Sequence, residues 1–262
     1  SIAMPAMREA LGATLAQAQW INAAYLLSLS SLVLVGGAMG DRFGIARIFS
    51  LGIVIFVVGS LACAAAFTPE LMITARAGKG VGAALMVPGS MAMVSRAYPR
   101  AERGRALGLW AAASTLTTAL GPVLGGMFVT WGGEVGWRLV FALNLPLGLA
   151  ALWLIHGRTP GDIGKPGVRV DLPGAVLATL ALGLMAWALT EACAGPLVAL
   201  AALVSLAAFL GWEAMAPAPM LRLSMFRNRT MAVTNLVTFV LYFALNGVMF
   251  YLPMTAVSAW KV

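Results

Sequence analysis

The sequence predicts an all-α, polytopic membrane helix bundle, and its composition, its apolar runs and their pattern each support that fold class. Hydrophobic residues make up 61% of the 262 residues and charged residues only 10%, whereas charged residues are about 25% of a soluble domain. The apolar residues gather in runs of about 20, the length of a helix that crosses the hydrocarbon layer. These runs lack the polar–apolar alternation typical of membrane-spanning strands. We therefore expect an integral membrane protein built of helices.

Eight apolar runs are the candidate membrane-spanning helices. They cover residues 21–40, 48–67, 71–95, 106–130, 137–156, 172–190, 197–212 and 231–257. The longest polar stretch, residues 157–174, contains several glycines and prolines, which interrupt helices. Near its end, Asp171 is placed to cap a helix that begins close to Leu172.

The lysine and arginine residues predict the orientation of these helices. A net charge of +8 can indicate nucleic-acid binding, but that requires a basic face on a soluble surface. Here most cations lie in the loops after the first, third, fifth and seventh runs. They are Arg42, Arg47, Arg96, Arg100, Arg103, Arg105, Arg158, Lys165, Arg169, Arg222, Arg227 and Arg229. The positive-inside rule makes that side cytoplasmic, so a further span is expected before residue 1 if the intact protein begins in the cytoplasm.

Two cations, Arg76 and Lys79, lie inside the third apolar run. Their spacing of three residues places them on one face of a helix. One interpretation is that Arg76 extends to the outer interface. The other is that both side chains face a water-filled cavity between helices, where intramembrane charges usually have a function. The same run carries small residues that permit close helix packing, namely Gly78, Gly80, Gly82, Ala83 and Ala84.

The fourth run contains Gly121, Pro122, Gly125 and Gly126 in mid-membrane. Glycines four residues apart form a packing groove, and a proline inside a helix tends to kink it. Ordinary helix packing and a hinge between two rocking bundles are equally compatible with this pattern.

A glycine-rich stretch, "GGAMGDRFG", ends the first run at residues 36–44. Its glycines permit a tight turn, which holds Asp41 and Arg42 at the membrane edge. We expect Asp41 to pair with Arg103 or Arg105 of the next cytoplasmic loop.

Together these three stretches resemble signature motifs of the major facilitator superfamily, in their expected order. "GAMGDRFG" resembles its loop motif, "MITARAGKGVGAA" its arginine motif with Lys79 in place of the usual glutamine, and "LGPVLGG" its antiporter motif. The matching positions are Gly37, Asp41, Arg42, Gly44, Arg76, Gly80, Gly82, Ala83, Ala84, Gly121, Pro122, Gly125 and Gly126.

A fourth stretch, "GWRLVFALNLPLG", is similar to a structural motif of the fourteen-helix drug:proton antiporter family. The matches are Trp137, Arg138, Phe141, Asn144, Pro146 and Gly148. "QWINAAYLL" and "NLVTFVLYFALNGVMFYLP" also resemble the second and ninth helices of that family. Trp131 and Trp137 lie near the predicted outer boundary, where we expect them in the aromatic belt.

The resemblance implies an incomplete major facilitator fold that covers roughly helices two to nine of fourteen. Residues 1–156 would be the amino-terminal bundle without most of its first helix, followed by a cytoplasmic loop at 157–171. Residues 172–212 would add two transmembrane helices, and residues 213–229 a cytoplasmic linker. Residues 230–262 would begin a truncated carboxy-terminal bundle.

The resemblance also implies a function, namely export of small drug-like or amphipathic compounds by proton antiport with alternating access. The implied partners are the small-molecule substrate, protons, the lipid bilayer and an accessory periplasmic protein, with no nucleic acid, cofactor or metal. The implied location is the bacterial inner membrane, crossed several times. Candidate residues of the substrate and proton pathway are Arg76, Lys79, Trp20, Asn22, Tyr25, Trp110, Asn235, Tyr242 and Asn246.

In this scheme Asp41 helps to latch the cytoplasmic side, and the segment from Gly121 to Gly126 acts as hinge and seal. Proton coupling needs a titrating group inside the membrane, yet all nine carboxylates lie in loops or near the ends of runs. The family usually carries an acidic residue in its first helix, which we expect to precede residue 1. Lys79 is the alternative within this sequence.

Other functions stay open. Within transport, the rival is a dedicated exporter of an amino acid, a siderophore or a self-made antibiotic. An uncoupled channel is a further alternative. An intramembrane enzyme needs a nucleophile with its base, paired acids or a metal cluster. The single histidine and the absence of a mid-span carboxylate argue against it, and we predict that the protein is not an enzyme.

Overall fold

The computed structural model of the chain describes residues 4–156, 164, 171–190, 195–221 and 223–260, and the side chains of these except at 122, 134, 190 and 246–260. Every regular element in this part is helical, which confirms the all-α prediction. The helices are α1 (Met4–Ala10), α2 (Leu15–Phe43), α3 (Ile45–Ala64), α4 (Pro69–Ala97), α5 (Arg103–Trp131), α6 (Gly136–Ala142), α7 (Asn144–Ile155), α8 (Leu172–Thr190), α9 (Gly195–Met215) and α10 (Arg229–Trp260). Short 3-10 turns lie at Gly133–Val135 and Leu223–Arg227.

Six helical segments of the described chain are long and apolar enough to cross a membrane. They are Leu15–Phe43, Ile45–Ala64, Arg103–Trp131, Gly136–Ile155, Leu172–Leu189 and Gly195–Met215. A shorter apolar stretch lies in α10 at Arg229–Leu245. Helix α4 has 29 residues, ample length for a span, but its cations and glycines make it less apolar than the others. It packs along both α2 and α3, so much of its surface faces protein rather than lipid.

Side-chain caps determine where two of these helices begin. The Thr14 hydroxyl accepts a hydrogen bond from the main-chain N–H of Gln17, whose side chain accepts one from the N–H of Thr14. This capping box starts α2 at Leu15, six residues before the predicted apolar run. The Thr68 hydroxyl accepts from the N–H of Leu71 and starts α4 at Pro69, a favourable first position for proline.

A single residue, Gly44, separates α2 from α3, and its φ of 105° lies in the region that favours glycine. Asp41 therefore belongs to the last turn of α2 rather than to a loop. Its carboxylate lies 3.6 Å from the guanidinium of Arg96. The predicted pairing with Arg103 or Arg105 is wrong, because α4 continues to Ala97 and carries Arg96 to the end of α2.

Two glycines let α4 approach its neighbours closely. A methyl group added at Gly80 would lie 2.5 Å from the carbonyl oxygen of Tyr25 on α2, and one at Gly82 would lie 2.5 Å from the main-chain nitrogen of Phe56 on α3. The predicted role of small residues in packing is therefore confirmed at these positions. A methyl group at Gly78 would meet nothing within 4 Å, so this glycine does not serve packing.

Helices α8 and α9 form a hairpin that packs on α2 through α8. The buried Asp171 accepts a hydrogen bond of 2.9 Å from the main-chain N–H of Gly174, the predicted cap of α8. Its carboxylate also accepts a bond of 2.8 Å from the indole N–H of Trp212 on α9. One side chain thus caps α8 and ties the two helices together.

The predicted span at 137–156 is confirmed as the apolar helical stretch Gly136–Ile155, in which the single residue Leu143 separates α6 from α7. Pro146 has no N–H to donate to the preceding turn, and the Asn144 side chain donates to the carbonyl oxygen of Phe141 at 3.1 Å. The break leaves Asn144 as the first residue of α7, where its amide group can serve other contacts.

Trp137 does not lie in an aromatic belt, so that prediction is wrong, whereas Trp131 is 77% exposed as a belt residue would be. The reversal at Gly133–Val135 turns α6 back against the bundle, and Trp137 is 1% exposed in a core with Met7 and Met72. The neighbouring Arg138 donates hydrogen bonds to main-chain carbonyls at the end of α3. Trp137 and Arg138 therefore hold α6 against the end of α3.

The chain separates into two compact units, Ser1–Met220 and Leu221–Val262. The first holds α1 to α9. The second holds the turn Leu223–Arg227 and α10, which is capped by the Asn228 side chain accepting from the N–H of Thr230 at 3.0 Å. The division falls inside the predicted linker 213–229, whose first residues belong to α9. Most of the predicted loop 157–171 lies outside the described residues.

Candidate substrate cavity

A cavity of about 510 Å³ lies in the first unit, within the usual size of small-molecule sites. Residues of α1, α2, α4, α5, α6 and α7 line it, together with Leu143 between the last two. The described lining residues are Met4, Met7, Asn22, Arg76, Lys79, Thr117, Leu120, Gly121, Leu124, Gly125, Phe128, Val140, Phe141, Leu143, Asn144 and Leu147. Apolar walls with a few converging polar groups are typical of a binding site for an amphipathic compound.

Arg76 is held by α2 on one wall of this cavity. Its Nε donates a hydrogen bond of 2.9 Å to the carbonyl oxygen of Ile21, and its Nη2 donates one of 3.3 Å to Oδ1 of Asn22. The guanidinium carbon also lies 5.0 Å from the ring centroid of Tyr25, a cation–π distance. The side chain is directed across the bundle toward α2, which favours the cavity interpretation over extension to the outer interface.

Lys79 has a different environment, although it lies one helical turn away. Its side chain is buried, with 7% of the residue exposed. Its Nζ lies 4.4 Å from the ring centroid of Phe56 on α3 and 5.1 Å from that of Phe141 on α6. Within the part of the chain that the structure describes, Lys79 forms cation–π contacts but neither a hydrogen bond nor an ion pair.

The two cations give the cavity a positive potential. All other residues of its described lining are uncharged. Apolar walls exclude much of the solvent screening, so each charge acts over a longer range than it would in water. The charges of the described lining therefore favour an anionic ligand over a cationic one.

Asn144 contributes a neutral polar group to the same cavity. Its Nδ2 donates a hydrogen bond of 2.9 Å to the hydroxyl of Ser60, a fully buried residue of α3. The predicted structural role of Asn144 therefore has a physical basis, since this bond links α7 to α3. Its exposure to the cavity was not expected from the motif.

The glycine face of α5 forms part of the cavity wall. A methyl group at Gly121 or Gly125 would meet nothing within 4 Å. Among the described residues, no helix packs into the groove that these glycines form. Helix α5 is continuous from Arg103 to Trp131, so the hinge role of this segment stays a prediction.

The cavity brings together some of the predicted pathway residues. Asn22, Arg76 and Lys79 line it. The ring of Tyr25 contacts Arg76 but is not part of the described lining. Trp20 and Trp110 are half-buried and are not among its described lining residues.

Three further predicted pathway residues belong to the second unit. Asn235 and Tyr242 are exposed within it, and the side chain of Asn246 lies outside the described residues. A smaller cavity of about 150 Å³ in the first unit, at the other end of α2, includes Gly37 and Asp41.

Sequence reasoning missed the aromatic partners of Lys79. Phe56 lies in an entirely apolar run, where no local pattern distinguishes it from its neighbours. Phe141 was recognised as a motif match, but its contact with a cation was not predicted. Thr117 on α5 was also missed, because a threonine in a membrane helix usually bonds to its own helix, as its hydroxyl does here to the carbonyl of Ala113 at 2.9 Å. The described residues contain no group of three metal-ligating side chains.

Comparison with known proteins agrees with this architecture. A family model described as Major Facilitator Superfamily matches residues 1–261. The chain is 36% identical over 268 residues to a methylenomycin A resistance protein of Bacillus subtilis, which covers 97% of this chain and 55% of that protein. It is 32% identical to a tetracenomycin C resistance and export protein of Streptomyces glaucescens, with coverage of 96% and 48%. It is 30% identical to the multidrug resistance protein Stp of Mycobacterium tuberculosis, with coverage of 95% and 47%.

The chain thus spans about half the length of the curated relatives that it matches. Its family consists of transporters rather than enzymes, which agrees with the prediction from its single histidine. The family match extends over nearly the whole chain and includes all four motifs and every described residue of the cavity lining. The chain is therefore a multi-pass membrane protein that belongs to the major facilitator superfamily.

Proposed function

We propose that the complete protein exports small drug-like or amphipathic compounds by proton antiport with alternating access. The observation that carries this proposal is the cavity of about 510 Å³, with apolar walls and the polar groups of Arg76, Lys79 and Asn144 in its lining. Such a combination suits a compound that has both an apolar body and a polar group. The open glycine face of α5 leaves room for such a compound beside the helix.

The names of the relatives support export and favour one variant of it. Two of the three carry the name of a single antibiotic, methylenomycin A or tetracenomycin C, and one is named for multidrug resistance. A dedicated exporter of an antibiotic-like metabolite is therefore the second candidate. It differs from a multidrug pump in the range of compounds carried rather than in the mechanism.

In the proposed cycle, the motif at the end of α2 acts away from the cavity, whereas the glycine face of α5 acts at the cavity wall. The ion pair between Asp41 and Arg96 links the adjoining ends of α2 and α4, and we propose that it breaks and forms as the cytoplasmic side opens and closes. Both side chains are more than half exposed, so the pair contributes little stability and can separate at low cost. Gly121 to Gly126 would then bend or slide as the cavity changes access.

Proton coupling requires a group that exchanges a proton with each turnover. The described lining of the cavity contains no carboxylate. We propose that the group is either Lys79 or an acidic residue outside the described part of the chain. We also propose the inner membrane of a bacterium as the location, since the relatives are bacterial, and an accessory periplasmic protein as a partner that co-purification would reveal.

Transport by inside-out proteoliposomes tests the main proposal. The protein made from its complete reading frame is reconstituted, and the interior of the vesicles is made more acidic than the medium. Uptake of a fluorescent amphipathic compound is then followed. Antiport predicts accumulation above the external concentration, and dissipation of the gradient with a proton ionophore should abolish it. An uncoupled channel would only equilibrate the compound, and an inactive protein would not move it. Either result would overturn the proposal.

A panel of compounds then separates the two candidates. A multidrug pump accumulates several unrelated structures under the same gradient. A dedicated exporter accumulates one of them and its close analogues.

A further inference from the structure

Arg76 and Lys79 differ in how many of their hydrogen-bond donors the protein itself provides with acceptors. Arg76 donates to a main-chain carbonyl and to a side-chain amide, and its flat face contacts the ring of Tyr25. The ammonium of Lys79 has three N–H donors, but in the described part of the chain it donates no hydrogen bond and contacts the faces of Phe56 and Phe141. Lys79 is therefore the cation with unused hydrogen-bonding capacity.

The position of Lys79 makes this capacity available to a ligand. The residue is 7% exposed and lines the cavity beside Phe141, which lines it as well. A buried ammonium loses its hydration, and aromatic faces replace only a part of it. An anionic group that entered from the cavity would supply both the missing charge and the missing acceptors.

We propose that the cavity selects amphipathic anions over cations, and that Lys79 binds the carboxylate of the ligand. This proposal rests on the proposed function, in that the cavity is taken to be the substrate site. It adds the chemical class of the substrate, which differs from the cationic drugs often associated with multidrug export.

The arrangement of the aromatic side chains supports the selection of anions independently of the positive charges of Arg76 and Lys79. A cationic ligand would need aromatic faces or carboxylates as partners. The two rings nearest to Lys79 already face its ammonium, and the described lining offers no carboxylate. A cation would also be repelled by Arg76 and Lys79 at close range. The apolar body of an anion would instead contact Leu120, Leu124 and Phe128 on α5.

Lys79 also has a matched replacement that removes its charge. Glutamine keeps a long, polar side chain of similar reach but carries no charge. Arginine keeps the charge, and methionine keeps the apolar stem. Arg47, an exposed cation on α3, provides a control, because Arg47→Gln removes the same charge from the protein without altering the lining of the cavity.

Equilibrium binding of three probes with one ring system tests the proposal. The protein made from its complete reading frame is placed in phosphatidylcholine nanodiscs without any gradient. Fluorescence titrations then compare anthracene-carboxylate, anthracene-methanol and anthracene-methylammonium, which differ in charge and little in shape. We expect the carboxylate to bind about tenfold or more tightly than the neutral alcohol, the range of a hydrogen bond to a charged group, and the ammonium to bind most weakly.

The variants assign this preference to Lys79. Lys79→Gln and Lys79→Met should remove the preference for the carboxylate over the alcohol, and continued binding of the alcohol shows that the cavity is still folded. Lys79→Arg and Arg47→Gln should retain the preference. Equal affinities for the carboxylate and ammonium probes in the unaltered protein would overturn the proposal. A preference that persists in Lys79→Gln would overturn the role of Lys79.

Anionic lipid is the other source of a negative group at this depth. Nanodiscs that contain phosphatidylglycerol distinguish it from a free ligand. If the lipid abolishes binding of the carboxylate probe to the unaltered protein, the site belongs to a headgroup and the proposal fails. Because binding is measured without a gradient, carboxylate binding with no transport would refute export alone, whereas transport restricted to cations would refute the inference alone.

Discussion

Arg76 reaches from α4 to the main chain of α2, where its Nε donates a 2.9 Å hydrogen bond to the carbonyl oxygen of Ile21. Ile21 is fully buried, and its carbonyl belongs to a helix whose own hydrogen bonds run along its axis. The bond therefore joins two helices at membrane depth through a charged donor. It also determines the position of the guanidinium beside Asn22 at the cavity wall, so one residue serves both packing and the proposed site.

Replacing Arg76 by lysine is expected to weaken both roles. Lysine keeps the charge but loses the planar fork that contacts Ile21 and Asn22 together. Since a hydrogen bond from a charged donor contributes roughly 1.5–3 kcal/mol, we expect a lower unfolding temperature in detergent and reduced transport. Measurements of thermal unfolding and of proteoliposome uptake check this. An Arg76→Lys variant with full stability and full activity would show that the planar guanidinium is not needed.

Replacing Gly80 by alanine should destabilise the contact between α4 and α2. The added methyl group would lie 2.5 Å from the carbonyl oxygen of Tyr25, so the helices must separate, at a cost of about 1–3 kcal/mol for an overpacked core. Gly78→Ala is the matched control on the same helix, because its methyl group would meet nothing within 4 Å. Thermal unfolding should show a loss for Gly80→Ala and none for Gly78→Ala. Equal behaviour of the two would contradict the close packing of α2 on α4.

Replacing Asp171 by alanine should loosen the hairpin of α8 and α9. The variant loses the cap of α8, worth about 1 kcal/mol, and the bond from the indole of Trp212, worth about 1.5–3 kcal/mol for a charged acceptor. Hydrogen exchange at the start of α8 should therefore accelerate. Asp171→Asn keeps an oxygen that can accept both bonds and should lose much less. A hairpin that is equally protected in the alanine variant would refute this role of Asp171.

Replacing Gly121 by leucine should separate folding from ligand binding. A Cβ at this position meets nothing within 4 Å and the glycine lines the cavity, so a larger side chain can extend into the cavity. Leucine is also a better helix former than glycine by up to about 1 kcal/mol. We expect unchanged or higher thermal stability together with weaker binding of all three anthracene probes, because the side chain occupies the cavity. Lower stability with unchanged binding would place Gly121 in a packed interface instead.

Local rules of sequence accounted for most of the elements. Thr68 before Pro69 and Asp171 before Leu172 are cap signals that depend on a few neighbouring residues, and only the second was recognised. The capping box of Thr14 and Gln17 was missed because it precedes the apolar run from which α2 was predicted. The break at Leu143 was missed for a similar reason, since an apolar run does not show where the hydrogen-bonding pattern of a helix is interrupted.

The sequence by itself determined that the chain is helical, that it is suited to a membrane, and that Arg76 and Lys79 share one face of a helix. These properties depend on composition and on a spacing of three residues, both of which are local. The tertiary structure alone decided that Arg76 meets Ile21, that Lys79 lies between Phe56 and Phe141, that Asp41 pairs with Arg96, and that Trp137 is buried. Each of these contacts joins different helices, and their relative rotation and depth depend on how closely Gly80 and Gly82 allow α4 to approach α2 and α3.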